Sequence, residues 1–364
     1  MSGELSAHLH RLIRADGPIP LSRFMAEALG HPRFGYYMRR DPLGADGDFT
    51  TAPEISQMFG ELLGLWCADL WQRSGAPATV RLVELGPGRG SLMADALRAS
   101  AVLPAFAAAV DVHLVETSPA LRRRQRATLA DLEVHWHTSL ADVPPGPSLV
   151  IANEFFDALP IRQYDRTDDG WRERFVALDG DGLAMIAGAE LLPVDALPPA
   201  FRAARPGEVA ELAPARDAIM RQLGERLVSD GGAAVVVDYG HARSHPGDTL
   251  QAVRNHAFAP VLDAPGEADL TAHVDFAALA DAARAAGARV HGPVTQAGFL
   301  EALGLAPRTA ALKASASPRQ AADIEAAVAR LTDPAQMGEL FKVLAIAGPD
   351  MPAPAGFASD EGER

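Results

Sequence analysis

The sequence predicts an α/β fold: a doubly wound, largely parallel sheet with an antiparallel edge strand, preceded by a helical cap. Three observations predict it. Short β-rich runs alternate with helical stretches from Thr79 onward, the order that builds a parallel sheet. A glycine cluster, Gly86-Pro87-Gly88-Arg89-Gly90, stands between the first of those runs and the helix after it. Two late β-rich runs, Ala288 to His291 and Phe341 to Ala347, suit an antiparallel edge.

Before Thr79 the pattern is helical. Leu5, Leu9, Leu12 and Ile13 recur at helical spacing, and Pro20-Leu21-Ser22 leads into a second helix ending at Gly30. A turn-rich stretch from His31 to Thr51 follows. The next helix is expected to open at Pro53, with Thr51 available as its cap. Its apolar residues, from Ile55 to Trp71, occupy almost the whole circumference, so it should be buried on most sides. Val80 to Leu85 and Asp111 to Glu116 read as strands, with a helix from Pro119 to Leu129 after the second. Leu132 to Trp136 and Ser148 to Ala152 read as the third and fourth.

Between Pro160 and Arg216 the rhythm breaks. Trp171 to Leu178 and Gly182 to Ala187 read as an inserted hairpin, flanked by the proline-rich Leu191 to Pro206. A helix from Pro214 to Val228 leads back to a strand at Ala233 to Asp238, and another helix spans Val274 to Ala286. The acidic tail from Pro349 is expected to be unstructured. The expected organisation is a cap and lid over 1–78, a sheet domain over 79–160 and 207–348, an insertion over 161–206 and a disordered tail over 349–364.

Charge excludes one class of partner. Lys and Arg total 33 against 47 Asp and Glu, a formal charge of −14, and only Lys313 and Lys342 are lysines. Proteins that grip phosphate backbones show a basic excess or a basic face, so no nucleic acid is expected. Hydrophobic content of 48% with 22% charged residues marks a globular chain, not a disordered one. The single cysteine, Cys67, rules out an intramolecular disulfide or a multi-thiolate zinc site. Its place in the apolar helix predicts core packing. His135 and His137 share a strand face without further ligands, so no metal is expected. No apolar run approaches the roughly 18 residues of a membrane span. Met1 to Gly17 carries Glu4 and Asp16 and has no apolar signal core, so a cytoplasmic location is expected.

The glycine loop carries the chemistry. Glycines after a first strand let the backbone approach a ligand, and the next helix offers free N–H groups. The spacing is Gly-x-Gly-x-Gly and not the dinucleotide Gly-x-Gly-x-x-Gly. Glu84 precedes it, and Glu116 closes strand two, where a carboxylate can accept both hydroxyls of a ribose. A tight structural turn beside a solvent-facing glutamate is the alternative.

Glu84 to Gly90 with Glu116 resembles the S-adenosylmethionine site of class I methyltransferases. Further stretches resemble the MidA family, which includes a mitochondrial complex I assembly factor known as a protein arginine methyltransferase. They are His31-Pro32-Arg33-Phe34-Gly35-Tyr36-Tyr37, Gly47 to Ser56, Ala152 to Pro160, Asp238-Tyr239-Gly240 and Asp269 to Phe276. The resemblance runs over nearly the whole chain. It implies a class I methyltransferase sheet, S-adenosylmethionine as cofactor, and an acceptor arginine on a partner protein, by analogy a complex I subunit. It also implies cofactor-binding roles for Glu84, Gly86, Gly88, Gly90, Glu116, Asn153 and Thr51. Gly86 and Gly88 would lie against the methionine and ribose parts, Glu116 would take the ribose hydroxyls, and Glu84 would order the loop and the cofactor's amino group.

Asn153-Glu154-Phe155-Phe156-Asp157 follows strand four, where this fold places its acceptor. Enzymes that methylate base or amide nitrogens often carry Asn-Pro-Pro-Tyr there; Glu154 and Phe155 replace the prolines. A carboxylate beside aromatic rings suits a guanidinium, which takes a planar bidentate acceptor and a face to stack on. Glu154 is the first choice for holding it and Asp157 the second, against the alternative that Glu154 caps a helix or pairs with a structural arginine. His273 offers a proton acceptor near neutral pH, or else a satisfied, non-catalytic histidine. Thr51 sits where a loop meets a helix N-terminus and either holds the cofactor carboxylate beneath a lid or simply caps. Two other functions stay open: a small-molecule methyltransferase, and a non-catalytic assembly factor that keeps the cofactor fold.

Overall fold

The computed structural model describes residues 3–39 and 51–357. Gly47 to Thr50 of the motif quoted above, and the tail beyond 357, lie outside the described residues. The central sheet has seven main strands: β1 Val80–Leu85, β2 Val110–Val115, β3 Val134–His137, β4 Ser148–Asn153, β5 Gly232–His241, β6 Arg289–Thr295 and β7 Phe341–Ala347. Across the sheet they lie in the order β3-β2-β1-β4-β5-β7-β6. β1 to β5 are parallel, and β7 is antiparallel to both β5 and β6.

This refines the expected antiparallel edge. The reversed strand is β7, one place in from the edge, while β6 closes the sheet in the parallel sense. Burial gives the reason. β7 is buried at six of its seven positions, as a strand flanked on both sides and covered on both faces should be. β6 has no buried position and carries Arg289, His291 and Gly292, which an edge tolerates. Four helices between them, Gln296–Ala302, Leu305–Lys313, Pro318–Thr332 and the short Met337–Leu340, carry the chain back so that β7 can enter.

Successive strand residues feed opposite cores, as a period of two demands. Val80, Leu82, Leu149, Ile151, Val235 and Val237 pack on one face with helices Gln57–Arg73 and Ser91–Ser100. Val83, Leu85, Val150, Ala152, Val236 and Leu344 pack on the other with Pro214–Asp230 and Phe276–Ala285.

The apolar helix starts later than expected. Ala52–Ile55 is a separate turn, and Ser56, in extended backbone (φ −154°), caps Gln57–Arg73 by accepting the Met58 N–H at 3.2 Å. The Thr51 side chain caps neither. Cys67 is buried in the core as expected.

The inserted hairpin is part of a larger sheet. Trp171–Asp179 pairs with Gly182–Ala187, with Arg162–Arg166 and with a two-residue strand, Ile19–Pro20; Val209–Leu212 extends the far side. One core spans cap and insertion: Leu5, Leu9, Phe24 and Met25 lie in the same cluster as Ile161, Val176 and Leu270. The described part of the tail also departs from expectation. Trp66 Nε1 donates to Ala355 O at 3.1 Å, Arg73 Nη1 to Ala353 O at 2.9 Å, and Phe357 packs on Phe299 with ring centres 5.4 Å apart. Small residues close to two donors and an aromatic ring are held even without regular structure. Among the described residues no helix is long and apolar enough to cross a membrane.

Candidate active site

A cleft of about 390 Å³ opens at the carboxyl ends of β1, β2 and β4, the place where doubly wound sheets bind ligands. The glycine loop forms its floor, with Glu116 and Thr117 after β2 and Asn153, Glu154 and Phe155 after β4. Met25, Leu29, Tyr37 and Met38 of the cap close one side, and Thr51, Pro53 and Glu54 close another.

Gly86, Gly88 and Gly90 all have left-handed backbone, with φ of 63°, 52° and 83°, which favours glycine. Phe155 lies over Gly86 so closely that a Cβ there would meet its ring at 2.9 Å. Gly90 is not a lining residue. It precedes helix Ser91–Ser100 at the N-cap, under the Leu129 side chain. Ser91 Oγ, on that helix, donates to Glu54 Oε1 at 2.6 Å and ties it to the turn Ala52–Ile55.

Glu84, Glu116 and Glu154 line this region and differ in their surroundings. Glu84 is buried, and burial, followed by the neighbouring Glu116 charge, pushes its carboxyl up to about 8. Its Oε2 has no hydrogen-bond partner, and neither has Asn153 Oδ1. Glu116 is also raised by burial, offset by bonds from the Ser118 N–H to Oε1 (2.7 Å) and Gln125 Nε2 to Oε2 (3.2 Å). Glu154 has a left-handed backbone, φ 47°. Its Oε1 accepts the Ala52 N–H at 3.1 Å and Asn153 Nδ2 at 3.2 Å. Burial, then Asp157, raises it to about 7.

Asp157 does not line the cleft. Its Oδ1 accepts the Ala158 N–H at 2.8 Å, and the Tyr239 hydroxyl also bonds its carboxylate. The turn carrying it is pinned by Asp238, whose Oδ2 accepts the N–H groups of Phe156 (3.0 Å) and Asp157 (3.2 Å). His273 stands apart too. It lines a second cavity with His241, His245 and Asp275, edge-on to the Tyr239 ring, and burial followed by His241 lowers its pKa. Between the two regions lies the buried Arg216, which donates to the carbonyls of His273 (2.6 Å), Ala272 (2.9 Å) and Asp157 (3.0 Å). Of Glu154, Asp157 and His273, the three candidates for a catalytic role, only Glu154 lines the cleft.

Sequence reasoning passed over Gln125, Glu54, Tyr37 and Asp238. Asp238 belongs to a quoted motif, so a signal existed; Gln125 sits in an arginine-rich helix with nothing to single it out. His135 and His137 stack on either side of His113, whose Nδ1 lies 2.9 Å from His137 Nε2 and whose Nε2 lies 2.9 Å from Asp111. Ligand atoms of His8, Glu27 and His31 lie within 4.8 Å of one another. There Arg23 already pairs with Glu27 at 2.7 Å, and His31 Nδ1 accepts the Arg33 and Phe34 N–H groups, which leaves its proton on Nε2.

Residues 62–294 match the model of a family described as "Putative S-adenosyl-L-methionine-dependent methyltransferase". The chain belongs to this family. It resembles proteins named protein arginine methyltransferase NDUFAF7, mitochondrial. The zebrafish (Danio rerio) protein is 39% identical over 93% of this chain and 86% of its own length. The human protein is 37% identical over 93% and 82%. A Burkholderia thailandensis structure described as a "likely methyl transferase", bound to S-adenosyl-homocysteine, is 31% identical, with a TM-score of 0.86 over 100% of this chain and 96% of that one. The fold is that of class I methyltransferases, and the chain is an S-adenosylmethionine-dependent methyltransferase. The cleft fits this cofactor on its own chemistry: a glycine cradle beside two unpartnered acceptor atoms, Glu84 Oε2 and Asn153 Oδ1, suits a cationic amino-acid head. The cytoplasmic expectation is overturned by the same relatives, which are named as mitochondrial proteins.

Proposed function

We propose that this methyltransferase acts on the guanidinium of an arginine in a partner protein, held by Glu154. The observation that carries this is the Glu154 carboxylate itself, placed at the cleft by a left-handed backbone and flanked by Phe155. A planar carboxylate beside an aromatic face matches a guanidinium better than a neutral acceptor. The names of the curated relatives support the same acceptor, and by family analogy the partner is a respiratory complex I subunit.

In this reading Gly86 and Gly88 let the loop approach the cofactor, Glu116 takes the ribose hydroxyls, and Glu84 with Asn153 receives the amino group. Thr51, whose side chain caps no helix, is free to meet the carboxylate end. Gly90 shapes the turn without touching the ligand. S-adenosylmethionine, when bound, supplies an electrophilic methyl group on a sulfonium. Glu154 would align the guanidinium nitrogen and, with a pKa of about 7, would accept the proton that nitrogen loses as the methyl passes from sulfur to nitrogen and the broken S–CH₃ bond leaves a neutral thioether. Met25, Leu29 and Phe155 keep water out. The cap (1–78) and the insertion (161–206), with Val209–Leu212 added to its sheet, shape the entrance. We assign no catalytic role to Asp157 or His273.

The test is incubation of the chain with labelled S-adenosylmethionine and a cell extract, followed by mass spectrometry. Labelled protein arginine, lost in Glu154→Ala while cofactor binding persists, supports the proposal. A labelled metabolite would replace it with the small-molecule reading. Cofactor binding without any label would replace it with the assembly-factor reading.

A further inference from the structure

Gln125, on helix Pro119–Thr128, is completely buried. Its Oε1 accepts the Trp136 indole N–H at 3.0 Å. An indole nitrogen only donates, so this bond decides which end of the amide is oxygen. The Nε2 end then gives its two hydrogens to Gly88 O, at 2.8 Å, and to Glu116 Oε2, at 3.2 Å. A single neutral amide joins the glycine loop after β1, the carboxylate after β2 and the indole of β3.

We propose that Gln125 is a positioning residue of the cofactor site, locking Glu116 and the glycine loop into one unit that presents the carboxylate to the ribose. The proposal rests on the reading of Glu116 as the ribose ligand. An ionised carboxylate has about four acceptor directions. The Ser118 N–H uses one on Oε1, Gln125 uses one on Oε2, and the Thr117 N–H also bonds the carboxylate, so a direction remains for a hydroxyl of a diol. The same amide holds Gly88 O, which sets how far the loop stands from that carboxylate.

Only an amide satisfies all three partners. An apolar side chain would leave the Trp136 N–H and Gly88 O without this bond. A carboxylate would face two acceptors, Gly88 O and Glu116. The charged groups around Glu116 are Glu84 on β1 and Arg122, on the same helix as Gln125.

The test is calorimetric titration of S-adenosylhomocysteine into the full chain, each variant compared with wild type at the same pH. Gln125→Ala is expected to bind about ten- to a hundredfold more weakly, the usual cost of stranding buried hydrogen-bond partners. Gln125→Glu is expected to lose more than that at pH 8 and to regain part of it at pH 6, as the introduced carboxyl takes up a proton and can donate again. Gln125→Ala should show no such recovery. If Gln125→Ala does not fold, Trp136→Phe removes only the bond that orients the amide, and a severalfold loss is expected. Binding within twofold of wild type in the folded variants, or equal losses for Gln125→Glu at both pH values, overturns the proposal. Glu116→Ala separates the two levels. If it binds like wild type, the ribose reading fails; if it alone weakens binding, only the role of Gln125 fails.

Discussion

Glu84 is the residue whose state should change most when the cleft fills. Its pKa stands at about 8 against an ordinary 4.5 because burial and Glu116 both oppose its charge. At pH 7 it is mostly protonated, and a cationic amino group beside it would favour the ionised form. S-adenosylhomocysteine binding at pH 7 should therefore release protons, seen as a binding enthalpy that varies with the ionisation enthalpy of the buffer. In Glu84→Gln that variation should shrink markedly, and an unchanged slope would remove Glu84 from the amino-group site. Linkage gives the sign for the free protein. Between about 4.5 and 8 the folded state binds more protons here than the unfolded chain, so stability falls as pH rises through that window. Glu154, at about 7, adds a kinetic counterpart: kcat/KM for an arginine peptide should rise with pH through about 7, and Glu154→Gln should flatten the profile and lower it about 10²- to 10⁴-fold. Glu84, Gly86, Glu116 and Glu154 were legible in the sequence because strand ends and a glycine turn place them locally. That Asp157 and His273 lie off the cleft was not legible, because their backbones are pinned by Asp238 and Arg216, which reach them only through the fold.

At the scale of elements, helices Gln57–Arg73 and Ser91–Ser100 meet almost backbone to backbone. A Cβ at Gly64 would fall 2.3 Å from Ala96 O, and one at Gly60 would fall 2.9 Å from Leu92 O. Replacing a helical glycine by alanine ordinarily gains up to about 1 kcal/mol of propensity. Here the opposing atoms are backbone and cannot swing away, so overpacking of about 1–3 kcal/mol should win. Gly64→Ala is expected to lower the urea midpoint. Since Ser91–Ser100 begins directly after the glycine loop, it should also weaken S-adenosylhomocysteine binding. A more stable Gly64→Ala protein would show that the helices separate readily. The helix was legible from its apolar circumference, but its start was not. Pro53 marks a permitted first turn, and only the Ser56 side chain, bonded to Met58, shows where the long helix begins. The place of β7 was equally hidden, because sequence order carries no information about which gap in a sheet a returning strand enters.

For the molecule as a whole, the deciding contact joins residues far apart in the chain. Ile19 pairs with Val176 and Pro20 with Phe175, and Leu5, Leu9 and Ile13 are buried in the core that also holds Ile161, Val176 and Leu270. A two-residue strand has no periodicity to recognise, which is why cap and insertion read as separate units in the sequence. The parallel sheet, whose alternation repeats over many residues, was read almost strand by strand. Cap and insertion thus share one core, and helix Leu21–Gly30, which supplies Met25 and Leu29 to the lining, depends on helix Gly3–Asp16 for cover. A chain lacking residues 1–20 should therefore lose more than stability. It leaves the edge of Trp171–Asp179 unpaired and strips apolar cover from Leu21–Gly30. Its melting temperature should drop by several degrees, S-adenosylhomocysteine should restore less of it than in the full chain, and transfer to an arginine peptide should fall further than cofactor binding. Scanning fluorimetry with and without ligand, run beside a transfer assay, decides the matter: an unchanged melting temperature and full transfer would mean that the cap is only a neighbour of the site and not one of its walls.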